Sequence, residues 1–322
     1  MERLGARRVL LIAAEPEREL AEALTAAVPV HATFAEVRQH VPEEIARRAR
    51  AAADGADALL SVGGGSTTGT AKAVALETGL PIVAVPTTYA GSEMTPVWGL
   101  TAGARKTTGT DARVLPKVVV YDPELTVSLP PEITGPSAMN ALAHCVEAFY
   151  APGASPITSL MAEEGIRAIA RGVPGAVERP DDLEARSETL YGAYLAGAAF
   201  AVAGSGLHHK TCHVLGGAYD LPHAPLHTVM LPQVAAFQTP ALPEEMGRVA
   251  RALGAADAGR ALFDLARAIG APTALRDIGL RAEDLDEAVR LVLEKVPEDN
   301  PRPVEEEDVR ELLEAAFAGR RP

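Results

Sequence analysis

Five of the eight histidines in this 322-residue chain lie within one short stretch, LHHKTCHVLGGAYDLPHAPLHTVMLP. His209 and His213 are four residues apart, so a helix would place both on one face. The glycine pair that follows predicts the end of that helix, and His223 then lies in a predicted turn that begins with a proline. Imidazole is a common metal ligand and also titrates near neutral pH. The segment therefore predicts either a metal site or a site of acid–base chemistry.

A second polar pair, Asn140 and His144, has the same four-residue spacing in an apolar, helix-like stretch. We expect the two pairs and His223 to converge on one site. The alternative for any single histidine is a hydrogen-bonded or exposed side chain without function. Four histidines receive no role: His31 and His40, assigned to the surface or the core, and His208 and His227, which stay undecided.

The stretch SVGGGSTTGTAKAVA predicts a strand, a glycine turn and then a helix. Glycines let backbone N–H groups come close to a ligand, and the start of a helix favours anions. Ser66 and Thr67 can add hydroxyl donors. A second polar loop, PTTYAGSE, also follows a predicted strand, and two such loops at one sheet edge are typical of a dinucleotide site. The alternative for the glycine triplet is a purely structural turn.

The formal net charge of −13 argues against nucleic acid or an anionic membrane as a partner. A negatively charged substrate would need a local cationic pocket. The chain has five lysines among its 30 basic residues, and three of them, Lys72, Lys106 and Lys210, fall within the motifs discussed here. Because a lysine is a compact point charge, these three are candidates for anion binding, and chance is the alternative.

The sequence also predicts where the protein works. No apolar run is long enough to cross a bilayer, and the N-terminal residues predict a first strand and not a secretion signal. Cys145 and Cys212 lack the CxxC spacing. A reduced, cytoplasmic protein is therefore expected.

Predicted strands and helices alternate up to about residue 130, which indicates a parallel sheet covered by helices. Beyond that point, alanine-rich segments with three- and four-residue apolar spacing predict helices, and no convincing strand follows. The predicted fold class is α/β plus all-α. Residues 1–131 are expected to form a Rossmann-like nucleotide-binding domain and residues 132–322 an all-helical catalytic domain, with a ligand in the cleft between them.

Several motifs together resemble the group III, iron-containing alcohol dehydrogenases: the glycine loop, PTTYAGSEMTPVWGLT, KVVVYDPELT, MNALAHCVEAFYAP and HHKTCHVLGGAYDLPHA. The similarity extends over almost the whole chain and points to the maleylacetate reductase branch of the family. The resemblance implies a dehydroquinate synthase-like fold and a homodimer. It also implies NAD(P)H-dependent reduction of the conjugated carbon–carbon double bond of maleylacetate to 3-oxoadipate, in aromatic compound degradation.

The resemblance also implies positions for a cofactor and a metal. Cofactor contacts are expected from seven residues: Gly64, Gly65, Ser66, Thr87, Thr88, Ser92 and Lys106. The metal of the family would be held at four positions: Asn140, His144, His209 and His223. His213 matches an additional histidine that the family has near the nicotinamide.

Three features depart from the family pattern. Asn140 stands where the family has an aspartate ligand, and a neutral amide binds a divalent cation more weakly than a carboxylate does. The three histidines at the other positions still suffice for zinc. Ala35 replaces the acidic residue that contacts the adenine ribose, which leaves NADPH as an alternative to NADH. The chain also starts about one strand–turn unit later than family chains usually do, so a shortened or misassigned start is considered.

Conjugate reduction is compatible with the loss of a metal ligand. Hydride addition to the alkene leaves an enolate, which is a weaker base than the alkoxide that a metal stabilises in an alcohol dehydrogenase. Hydrogen-bond donors can stabilise the enolate, and an imidazole can protonate the carbon. We therefore assign His213 and His223 as acid and oxyanion donors, with His144 and His209 lining the site and no required metal. The candidate partners of the substrate carboxylates are Lys210 and Lys106.

Three alternatives remain open. The first is a metal-dependent alcohol dehydrogenase that tolerates Asn140. The second is a cyclase or lyase resembling dehydroquinate synthase, whose chemistry relies on a metal and on a phosphate pocket rich in Lys and Arg that the sequence does not indicate. The third is a dinucleotide-binding protein without catalysis, which the set of histidines argues against.

Overall fold

The computed structural model describes residue 1, residues 4–102 and residues 105–322, with only the backbone described at residues 105 and 106. The chain forms two compact units, Met1–Thr126 and Val127–Pro322. Among the described residues, no single helix is long and apolar enough to cross a membrane. One pair of helices, Leu183–Ala203 and Leu207–Tyr219, passes that test only when taken together, and the pair is bent by 98°.

The first unit is built on a parallel sheet. Its elements in chain order are β1 (Val9–Ile12), α1 (Arg18–Leu24), β2 (Val30–Phe34), α2 (Glu43–Ala52), β3 (Ala58–Gly63), α3 (Gly65–Thr78), β4 (Ile82–Pro86), β5 (Val97–Ala102), β6 (Arg105–Thr110) and β7 (Val118–Val119). Five strands pair in parallel in the order β2-β1-β3-β4-β7. The direction of winding reverses between β1 and β3, and ligands of such sheets bind at the carboxyl ends of the strands that flank this switch point.

The central strands β1 and β3 are buried along their whole length, which explains why both are continuous apolar runs. Successive residues of β1 enter two different cores. Leu10 packs with Ile45 of α2 and Val74 of α3, whereas Leu11 packs on the other face with Ala21 of α1. Helices therefore cover both faces of the sheet, as the alternation of strands and helices in the sequence predicted.

Strands β5 and β6 form a separate antiparallel pair that the sequence analysis did not predict. Every residue of β5 is half-buried or exposed, so no apolar run marks the strand. A Cβ on Gly109 of β6 would lie 2.6 Å from the ring of Trp98, which stands opposite it on β5. The close approach of an aromatic ring to a glycine therefore joins two strands that lack a hydrophobic pattern.

The second unit is helical. Its helices are α4 (Pro131–Glu147), α5 (Pro156–Glu178), α6 (Leu183–Ala203), α7 (Leu207–Tyr219), α8 (His223–Gln238), α9 (Pro243–Ala252), α10 (Ala258–Ala268), α11 (Leu285–Leu293) and α12 (Glu306–Ala318). Residues 127–322 are all described and contain no strand, so the predicted helical region is confirmed. Helix α4 is buried from Thr134 to Glu147 and packs against α5, α6 and α8. This helix holds polar side chains in the interior of the unit.

Candidate active site

The glycine loop joins β3 to α3 at the switch point of the sheet. β3 ends at Gly63, whose φ of 146° is rarely adopted by residues with a side chain. A Cβ on Gly64 would lie 2.9 Å from Thr88 Cγ2, so the loops that follow β3 and β4 are in close contact. Gly65 begins α3, and Ser66 is half-buried in its first turn. Because the first N–H groups of a helix lack partners within the helix, this turn is suited to a phosphate.

The second polar loop begins directly after β4. Thr87 is buried, and its N–H donates to the Gly63 carbonyl oxygen at 3.2 Å. Thr88 and Ser92 are half-buried in the same loop. Six of the seven residues expected to contact a cofactor therefore lie on two neighbouring loops or in the first turn of α3. Their contact with a dinucleotide stays a prediction.

Two further positions concern the cofactor. Lys106 lies in β6 and pairs with Thr101 of β5, but its side chain is outside the described part of the chain. Ala35 follows the last residue of β2 directly. Acidic residues that recognise the adenine ribose stand at the end of this strand in dinucleotide-binding sheets. Ala35 offers no carboxylate there.

Lys72 of α3 is buried beneath the loop that carries Ser92. Its Nζ donates to the carbonyl oxygens of Ser92, Thr95 and Val97 at 2.6, 2.8 and 2.8 Å, and to Thr95 Oγ1 at 3.0 Å. Burial lowers the pKa of Lys72 to about 7, and the Glu93 carboxylate opposes that shift. The four oxygen acceptors also favour the ammonium form. Lys72 therefore supports the loop from inside the protein, in contrast to the anion-binding role considered from the sequence.

Lys72→Met is expected to lower the free energy of unfolding by about 3 kcal/mol, because buried oxygen atoms lose their donor. Urea denaturation measures this change. Lys117 is exposed in the same unit and provides the matched control. Lys117→Met should change the free energy of unfolding by less than about 0.5 kcal/mol. Equal stability of the two variants would show that the Lys72 ammonium does not support the loop.

Six histidines come together in the second unit. They are His144 on α4, His208, His209 and His213 on α7, and His223 and His227 on α8. The ring centroids of neighbouring pairs lie between 4.4 and 6.4 Å apart. Asn140 is buried on α4, one turn before His144. The structure therefore brings both four-residue pairs and His223 together, and it adds the two undecided histidines to the same cluster.

Two local predictions about this segment are wrong. Helix α7 continues through Gly216 and Gly217 and ends only at Tyr219, where Asp220 adopts a left-handed conformation. His223 is not a turn residue but the first residue of α8, which follows Pro222. Tertiary packing explains the longer helix, because neighbouring Leu215 is fully buried in the core of the unit.

Burial divides the histidine cluster into an inner and an outer part. Four rings are buried: those of His144, His208, His209 and His227. Burial lowers the pKa of His144 and of His208 to about 3, and it holds the pKa of His227 well below its usual range. These three rings are therefore neutral at pH 7. His213 and His223 are half-buried, and their rings stack with centroids 6.4 Å apart.

Two residues of the cluster were not predicted. Phe200 of α6 packs its ring against His144 and His209, with centroids 4.5 and 4.9 Å away. Glu147 of α4 is fully buried, and its carboxylate is hydrogen-bonded to Nδ1 of the His209 ring. The available signal was the position of an acid three residues after His144 in an otherwise apolar helix, because that spacing places both on one face.

Lys210 lies in α7 directly after His209 and is exposed. It precedes His213 by three residues, so the two side chains are neighbours on the helix surface. A cation therefore accompanies one of the two outer histidines. Its pairing with a substrate carboxylate stays a prediction.

Comparison with known proteins identifies the family. Residues 134–317 match the profile "Fe-containing alcohol dehydrogenase family, C-terminal", and residues 1–123 match "Iron-containing alcohol dehydrogenase". The chain belongs to the iron-containing alcohol dehydrogenase family. Among its relatives in this family, maleylacetate reductase 2 of Cupriavidus pinatubonensis is 52% identical, across 100% of this chain and 91% of the relative.

Solved structures share the fold of this chain. The maleylacetate reductase from Rhizobium sp. strain MTP-10005 has a TM-score of 0.94 and 44% identity, across 100% of this chain and 92% of that one. The sulfoacetaldehyde reductase from Bifidobacterium kashiwanohense, solved in complex with NAD+, has a TM-score of 0.88 and 25% identity, across 98% of this chain and 92% of that one. The expected order of a parallel-sheet unit followed by a helical unit is thus confirmed.

The charged ligand set that the family name implies is incomplete in this chain. Asn140 supplies a neutral amide oxygen where a charged ligand was expected. Among the described residues, the one group of three His, Cys, Asp or Glu side chains whose ligand atoms lie within 4.8 Å of one another is His208, His209 and His227. In that group His208 Nε2 and His227 Nδ1 share a hydrogen bond of 2.9 Å, which an ion would have to displace. The chemistry below therefore uses the imidazoles alone.

Proposed function

We propose that this protein reduces the conjugated carbon–carbon double bond of maleylacetate with NAD(P)H and produces 3-oxoadipate. The observation that carries the proposal is the division of the histidine cluster. Two half-buried imidazoles, His213 and His223, adjoin buried rings of the same cluster, three of which burial keeps neutral. The similarity to maleylacetate reductases along the whole chain supports the same substrate.

The reaction needs a hydride, an oxyanion donor and a proton. Hydride from the reduced nicotinamide adds to the alkene carbon that is β to the ketone, and the π electrons move to the ketone oxygen as an enolate. The enolate then collapses as a proton binds the α carbon. One NADH and one proton are consumed for each substrate molecule, and NAD+ is released with the saturated oxo acid.

His213 and His223 are the groups that provide the donor to the enolate oxygen and the proton to carbon. Both are half-buried and reach solvent, and imidazole is the side chain that enzymes use most often as a general acid. Buried rings of the same cluster exclude water, and a hydrogen bond to an oxyanion is stronger where water is excluded. His144 and His209 are two of these buried rings. Lys210 is the proposed partner of one substrate carboxylate, because it is exposed on α7 one turn before His213.

The proposed cofactor is NADH. Two neighbouring loops at the sheet switch point provide the glycines, threonines and serines that suit a pyrophosphate, and Lys106 is expected near the nicotinamide ribose. NADPH is a second candidate because Ala35 presents no carboxylate to repel a ribose phosphate. We also propose that the protein forms a homodimer and is located in the cytoplasm.

An absorbance assay of NADH oxidation with freshly generated maleylacetate tests the proposed function. We expect stoichiometric conversion of NADH and maleylacetate, and no comparable rate with simple aldehydes. A cyclase or lyase would consume no net NADH, and a binding protein would oxidise none. A rate that is higher with simple aldehydes than with maleylacetate would favour the metal-dependent alcohol dehydrogenase instead.

A further inference from the structure

Glu147 is the acid nearest to the buried histidines. Its side chain is fully buried, and one carboxylate oxygen, Oε2, is hydrogen-bonded to Nδ1 of His209. The other oxygen, Oε1, accepts from the backbone N–H of His209 at 3.2 Å and lies 3.5 Å from the Tyr150 hydroxyl. Burial raises the pKa of Glu147, and hydrogen bonds from the backbone N–H groups of Gly206, His208 and His209 oppose that rise.

These backbone groups belong to the start of α7, which has no cap from its own side chains. Gly206 precedes the helix, and a Cβ there would lie 2.9 Å from Tyr150 Cε2 and 3.2 Å from Glu147 Oε1. A carboxylate from α4 therefore occupies the place of a capping side chain. A negative charge at a helix start is stabilised by the unpaired N–H groups and by the helix dipole. The capped helix carries His208, His209 and His213.

We propose that Glu147 is a positioning residue that fixes His209 with its ring proton on Nδ1. A carboxylate only accepts hydrogen bonds, so the neighbouring ring nitrogen must donate. With its one ring proton on Nδ1, His209 presents the lone pair of Nε2 to the cluster and cannot donate a hydrogen bond from that nitrogen. His209 is thereby excluded as a donor to the enolate. This assignment of roles rests on the proposed function, whereas the tautomer of His209 does not.

The discriminating variant is Glu147→Gln. Its amide oxygen can still accept from the backbone of α7, but its NH2 group then faces His209 Nδ1. Two donors cannot share one hydrogen bond, so the ring proton should move to Nε2. We expect kcat for maleylacetate to fall about 10- to 100-fold, as for other partners that orient a functional histidine. KM for NADH should stay the same.

Glu163→Gln is the matched control. Glu163 is a half-buried acid on α5, and its carboxylate lies 2.7 Å from the Arg248 guanidinium. The kcat of the Glu163→Gln variant should be unchanged.

Two-dimensional NMR of protein with 15N-labelled imidazole rings gives the tautomer directly. The signal of His209 is identified by its absence from the spectrum of His209→Gln. Wild-type protein should show the His209 proton on Nδ1, and Glu147→Gln should show it on Nε2. A wild-type proton on Nε2 would overturn the proposal without any variant at 147, even if Glu147→Gln does not fold. A folded Glu147→Gln variant with wild-type kcat would also overturn the proposal. If wild-type protein lacks activity with maleylacetate but has the Nδ1 tautomer, the proposed function fails and the positioning of His209 stands.

Discussion

Replacing His213 or His223 by alanine is expected to lower kcat for maleylacetate by about 10²- to 10⁴-fold, the usual range for a lost general acid or oxyanion donor. Both rings are half-buried, so they are the members of the cluster that a substrate can reach. The dissociation constant for NADH should change little, because the two loops expected to hold the pyrophosphate, the glycine loop and the loop after β4, lie in the other unit. Stopped-flow measurement of a single turnover separates the two quantities.

The control for these variants is His31→Ala. His31 is exposed on β2, where its Nε2 lies 2.9 Å from Arg8 Nη2, and it has no place in the cluster. Its kcat should equal that of the wild-type protein. The double variant His213→Ala/His223→Ala should lose less than the product of the two single losses, because residues that act together are not additive. Wild-type turnover in both single variants would show that neither His213 nor His223 has the assigned catalytic role.

Gly64→Val is expected to raise KM for NADH about 100-fold or more, equivalent to about 2.7 kcal/mol of binding. A Cβ at Gly64 would lie 2.9 Å from Thr88 Cγ2, so the larger side chain pushes apart the two loops that form the proposed pyrophosphate site. It also places methyl groups where a phosphate would approach the start of α3. Initial rates at varied NADH concentration measure the effect.

The same substitution at Gly247 is the control for Gly64→Val. A Cβ at Gly247, on α9 of the second unit, would meet only the Arg251 Nη1 atom at 3.4 Å, and that side chain can move aside. Gly247→Val should leave KM for NADH unchanged. If Gly64→Val remains folded, as judged by circular dichroism, and binds NADH normally, the cofactor lies elsewhere.

Regular patterns in the sequence were sufficient to predict a parallel-sheet unit followed by a helical unit. The buried strands β1 and β3 are unbroken apolar runs, and residues on successive positions fill both cores. Such runs identify a parallel sheet covered on both faces. β2 and the β5–β6 pair were missed because most of their residues are half-buried or exposed, and strands of that kind carry no clear period.

The histidine segment shows where local signals fail. Two consecutive glycines predict a helix end, since each costs about 1 kcal/mol relative to alanine within a helix. Helix α7 nevertheless continues past them to Tyr219, whose hydroxyl donates to the Asp284 carbonyl oxygen at 3.3 Å. Contacts from distant parts of the chain offset the local penalty. Glu147 was missed for a related reason, because its partners on α7 are about 60 residues away in the sequence.

Activity without a metal is the central claim, and an assay of metal-stripped protein tests it most directly. The protein is purified without added metal and analysed for bound elements, and NADH oxidation with maleylacetate is then followed with and without a chelator. We predict less than stoichiometric metal and the same kcat in both assays, because imidazoles provide the donors and Asn140 provides no charged ligand. A full equivalent of bound metal, together with activity that disappears on chelation and returns when the metal is added back, would contradict the account.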